Sequence, residues 1–77
     1  MNDLLSRLHQ LLNQADACMT QGIPADQFGQ CADWCIKTYQ DLSRVANTTP
    51  SFRQDVAVQE MFREVGPLIT LIALRRK

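Results

Sequence analysis

The chain lacks any apolar run long enough to cross a bilayer. Its longest, Leu68 to Leu74, is about a third of what a membrane-spanning helix needs. It does not open like a secretory leader either, because MNDLLSRLHQLL carries an acid at its third residue and is amphipathic rather than continuously apolar. Cysteine is scarce and odd in number, three in all, which does not make a disulfide framework. Free thiols and a cytoplasmic location are expected. A basic surplus is missing too: eight Lys/Arg balance eight Asp/Glu, three against five in residues 1–46 and five against three in residues 47–77. Neither half has the positive excess that tracks phosphates, so nucleic acid is not expected as a partner. No glycine-rich phosphate loop, nucleophile elbow or metal motif occurs. The chain is therefore read as no enzyme and as needing no cofactor.

What remains is helical and apolar. Seventy-seven residues, 45% of them hydrophobic, make a single helical domain, residues 1–77. That length lies near the lower limit at which one core outweighs chain entropy, so a partner, self-association, a disulfide or a metal is the usual supplement.

Periodicity divides the domain. Leu4, Leu5, Leu8, Leu11, Leu12, Ala15, Cys18 and Met19 recur at spacings of three and four and predict a first helix from about Asp3 to Gln21, with Asn2 as its N-cap. Gln21-Gly22-Ile23-Pro24 reads as a stop, with Gly22 in the left-handed position and Pro24 opening the next helix. The second helix, about Pro24 to Ala46, has the stripe Phe28, Cys31, Ala32, Cys35, Ile36, Tyr39, Leu42 and Val45. So short a break folds the two helices antiparallel. A turn near residue 23 would set Cys18 beside Phe28, Ala15 beside Cys31 and Leu11 beside Cys35.

Beyond this hairpin (3–46) and a linker (47–50), residues 51–77 hold a third helix and a tail. Either Ser51 with Gln54 forms a capping box or Thr49 caps with Pro50 at the first helical position. The third helix runs from about Phe52 to Val65 with the stripe Phe52, Val56, Met61, Phe62 and Val65. Gly66-Pro67 is expected to break or kink it. Residues 68–74 would then form a last helix of about two turns, closed by Arg75, Arg76 and Lys77. The expected fold class is all-α, an antiparallel helical hairpin with a third helix and a short apolar C-terminal helix packed on it.

Cys31 and Cys35 lie four apart, with Cys18 across the hairpin and His9 further along the first helix. Three thiols and an imidazole are zinc ligand types. His9, however, precedes Cys18 by nine residues, roughly 13 Å along a helix, so the four are not expected to converge. The cysteines are read as small core residues and no metal is expected. His9 has no nucleophile to serve, and Asp26, Asp33 and Asp41 follow the solvated face of the second helix. Trp34 falls off the inward stripe, in line with Thr38, Asp41 and Val45, where an exposed indole anchors a partner. The tail is apolar nearly all round and must bury more than one face, either by plugging the open end of the hairpin or by contacting a second chain. The residues expected to bind a partner are Trp34, Phe52, Phe62, Leu68, Leu71 and Ile72.

The stretch from Met19 to Phe28 also carries a resemblance. A first helix ending at Gly22, a few turn residues and the pair Gln27-Phe28 opening a second helix resemble the small cytosolic E-type components of bacterial type III secretion systems, over residues 4–46. Those proteins are hairpins that pair with a larger helical-repeat chaperone and hold the needle subunit unpolymerised before export. The resemblance implies a chaperone or co-chaperone whose inward stripe (Leu8, Leu11, Ala15, Phe28, Cys31, Cys35) partly faces its partner. Residues 47–77 depart from that pattern. The function expected is thus a protein-binding adaptor or chaperone-like protein that masks apolar surface. The alternative is a small self-associating bundle whose C-terminal tail forms a homodimer.

Overall fold

The computed structural model describes residues 3–20 and 22–76. Its elements are α1 (Asp3–Thr20), α2 (Ala25–Thr48), the single turn α3 (Pro50–Arg53) and α4 (Val56–Arg76). No strand occurs among the described residues, and the fold is all-α. The N-cap expected at Asn2, the stop residue Gln21 and the terminal Lys77 lie outside the described residues. The three long helices pack lengthwise into a bundle of 39 × 18 × 18 Å.

Helix α1 buries Leu4, Leu8, Leu11, Ala15 and Cys18 along one stripe. Its neighbours Leu5, Leu12 and Met19, spaced by seven, flank that stripe half-buried. Pro24, with φ −55° and ψ 146°, sits just outside α2 as its N-cap, and its carbonyl accepts from the backbone N–H of Gln27 and Phe28 at 2.9 and 2.8 Å. The expected left-handed glycine is not there. Gly22 has no positive φ, so the chain turns without it. Because a Cβ at Gly22 would meet nothing within 4 Å, Gly22→Ala should raise stability by about 0.4–1 kcal/mol through the unfolded state. A lowered denaturation midpoint would show that the turn needs glycine after all.

The hairpin register also differs from expectation. The bond from Cys18 to Cys31 reaches three residues further along α2 than the expected facing of Cys18 and Phe28, which moves the hairpin midpoint to Pro24–Ala25, roughly half a turn of helix beyond Ile23. The expected free thiols are corrected with it, and only Cys35 is unbonded. In α2, Val45 is exposed and Ala46 is buried in its place.

The largest departure lies after residue 50. Thr49 caps α3 with Pro50 at the start, as one of the two expected cap placements had it, but α3 lasts only to Arg53. Asp55 then starts α4: its Oδ1 accepts from the Ala57 N–H at 2.9 Å and its carbonyl from the Gln59 N–H at 3.0 Å. This is an N-cap. The break thus falls at Gln54–Asp55, and α4 runs unbroken through Gly66 and Pro67. An interior proline costs about 3 kcal/mol of helix stability. Val58, Met61, Val65, Ile69 and Ile72 nevertheless keep one buried stripe on both sides of it. Burying an isoleucine contributes about 1.5–3 kcal/mol, so Ile69 and Ile72 together offset the proline. The shifted start also leaves Val56 exposed rather than on the stripe.

Candidate functional site

The tail has settled into the core. Ile72 is fully buried, so it is not available to a partner, contrary to expectation. Leu68, Phe52 and Phe62 are half-buried against the core. Phe62 meets the Tyr39 ring edge-to-face at 5.9 Å, a geometry that stabilises beyond the area covered. Leu71 and Leu74 remain outside, and Trp34 is 46% exposed. Of the six expected contact residues, then, Trp34 and Leu71 present their side chains openly, and they do so from α2 and α4.

Trp34 stands at an open cleft of about 800 Å³ along the seam between α1 and α2. Its walls are carboxamides: Gln10, Asn13 and Gln14 from α1, Gln27 and Gln30 from α2. Ile23, Cys31 and Trp34 supply its apolar part, and no charged residue lines it. Each carboxamide offers two donors and one acceptor. The cleft can therefore match the N–H and C=O groups of a polypeptide while the indole covers an apolar side chain. Gln10, Asn13 and Gln14 lie off the apolar stripe of α1. Their convergence on α2 follows from the register and is invisible in either helix taken alone.

No protein family, curated protein or solved structure compared with the chain matches it.

Next to the cleft lies the cysteine cluster. The sulfurs of Cys18, Cys31 and Cys35 all lie within 4.8 Å of one another. His9 does not belong to the cluster, so the three sulfurs converge without the imidazole, as its distance along α1 led one to expect. Cys18 and Cys35 are buried and Cys31 is partly open toward the cleft. Burial pushes the Cys35 thiol above its ordinary value of 9.0, because the thiolate loses its water. A raised pKa in the folded state contributes stability that is whole below about pH 9 and is lost as pH climbs through the folded value. The stability gap between the native protein and Cys35→Ala should accordingly narrow above pH 9, as read from denaturant midpoints. A constant gap would contradict this.

The opposite end of α4 ties down the same region. The Arg76 Nε and Nη2 donate to Asp33 Oδ1 and Oδ2 at 3.0 and 3.3 Å. This partner pushes the Arg76 pKa further up. Arg75 lies over the Phe28 ring, 5.7 Å from its centre, within cation–π range. Both arginines line a hollow with Cys18, Met19 and Gly29. The pairs are exposed and add orientation rather than much stability.

Proposed function

We propose that this chain is a protein-binding adaptor, not an enzyme, and that it takes a neutral segment of another polypeptide into the cleft beside Trp34. The observation that carries this is a half-exposed indole set among five carboxamides in a cleft that no charged residue lines. Tryptophan is among the residues that dominate binding energy at interfaces. An uncharged wall of amides favours main-chain hydrogen bonding over any salt-dependent ligand.

The narrower proposal, a co-chaperone of type III secretion, is supported by Gly22 and Gln27-Phe28 and by the hairpin itself. Helix α4 packs on α1 and α2, and Leu8, Leu11, Ala15 and Cys35 of the inward stripe are buried, so in this reading the partner contact lies on the outer face at Trp34. A homodimer is favoured by one observation of its own: Leu71 and Leu74 are 49% and 64% exposed on the outside of α4.

Co-purification from native cells with the tagged chain tests the reading. A stoichiometric protein partner is expected, and Trp34→Ala should weaken its binding by at least about 30-fold, the 2 kcal/mol expected of a dominant interface residue. Retention of the same partner by Trp34→Ala would overturn the assignment of the cleft. Light scattering decides the second reading. A dimer that Leu71→Glu with Leu74→Glu converts to monomer would establish self-association through α4.

No helix among the described residues is long and apolar enough to cross a membrane. A cytoplasmic place remains part of the proposal and goes with the reduced form of the Cys18–Cys31 pair, since that compartment keeps thiols reduced. Thiol alkylation before lysis, followed by mass measurement, distinguishes the cases: three labels for the cytoplasm, one for an oxidising compartment.

A further inference from the structure

Three sulfurs from two rigid helices point at one spot. Cys31 and Cys35 are one turn apart on the same side of α2, and Cys18 approaches from α1. Three thiolates around an ion with metal–sulfur bonds of roughly 2.3 Å stand about 4 Å apart when the ion lies in their plane. The cluster, with every sulfur within 4.8 Å of the others, needs only small side-chain adjustments once the Cys18–Cys31 bond is open.

We propose that the reduced protein binds one monovalent copper ion, three-coordinate, between Cys18, Cys31 and Cys35. The donor set selects the metal. Soft thiolates prefer Cu(I), zinc and iron–sulfur clusters among the common metals. Structural zinc sites complete four ligands, and the described residues bring three to this point and no histidine or carboxylate. A buried trigonal sulfur site is suited to Cu(I). Cys31, open toward the cleft, is the way in. Three thiolates and one Cu⁺ leave two negative charges, and Arg75, which lines the hollow behind Cys18, offsets part of that with its positive charge.

The balance is simple. Two equivalents of a low-molecular-weight thiol reduce the Cys18–Cys31 bond, leaving as their own disulfide. Cu⁺ then displaces three thiol protons to solvent, with no change in its oxidation state. Because the protons must leave, uptake tightens as pH rises.

The test is an anaerobic titration of the reduced chain with Cu(I) supplied as its acetonitrile complex, against a competing chelator. One ion per chain is expected, with near-ultraviolet thiolate-to-copper absorption and a higher unfolding temperature. The oxidised chain should take up none. Cys35→Ser, its fold checked by circular dichroism, should bind at least about tenfold more weakly. Should that variant not fold, Cys31→Ser, altered at a partly exposed position, gives the same reading. No uptake by the reduced chain, wild-type affinity in a folded serine variant, or tighter binding of Zn(II) than of Cu(I) would each overturn the proposal.

Discussion

Ile72→Ala is expected to destabilise the bundle by about 2–5 kcal/mol, whereas Leu71→Ala, one residue earlier, should change it by no more than about 0.5 kcal/mol. The contrast follows from the helix phase alone. Ile72 is fully buried and continues the line of Val58, Met61, Val65 and Ile69, while Leu71 is half in solvent. Removing three carbons from Ile72 forfeits their transfer energy and leaves a cavity in a core with few layers to collapse into. For a domain of this size the loss is a large part of the total stability. In thermal melts it amounts to about 4–8 °C for each kcal/mol. Equal effects at the two positions would mean that α4 does not continue through Pro67 in the phase described.

Reduction of the Cys18–Cys31 bond should cost about 3 kcal/mol. The two cysteines are 13 residues apart in sequence, and closing a loop of that length removes about this much free energy from the unfolded chain in the entropic account of disulfides. The measurement is a pair of denaturant curves with and without reductant, in a Cys35→Ser background that prevents exchange with the third thiol. An unchanged midpoint would show that the bond constrains nothing the packing of α1 on α2 has not already fixed. The two predictions concern opposite ends of the same problem. Both act on a core this small, the bond by tying α1 to α2 near the turn and the last turns of α4 by filling the interior.

Much of this architecture is legible from the residues. The leucine spacing of α1 marks both its existence and its inward face, and the stop at Gly22–Pro24 marks the hairpin. Trp34 could be set outside the core because it breaks the period of Ala32, Cys35 and Leu42. Single residue types mislead where a longer pattern overrides them. Gly66-Pro67 signals a break locally, yet the spacing from Val58 to Ile72 runs across it, and burial on both sides outweighs the proline. Asp55, directly before Val56, was the N-cap signal that would have moved the start of α4. It was hidden by the capping patterns at Thr49 and Ser51.

The cysteine cluster and the cleft escaped for a different reason. Both depend on hairpin register, which a shift of three residues changes completely. The sequence puts a turn near residue 23 but contains nothing that chooses between Cys18 facing Phe28 and Cys18 facing Cys31. An odd cysteine count argued against any bond, although two can pair and leave Cys35 over. The carboxamides of the cleft look like ordinary solvated positions until α1 and α2 are laid side by side.

The chain closes its own core and still leaves its one tryptophan open beside a cleft. Trp34 is the sole tryptophan, so its fluorescence reports this without labels. For the purified, partner-free monomer the account predicts red-shifted emission that acrylamide quenches readily, together with a cooperative unfolding transition. Blue-shifted emission that acrylamide does not reach, in a folded monomer, would contradict it, because the indole would then belong to the core and the cleft would have no anchor.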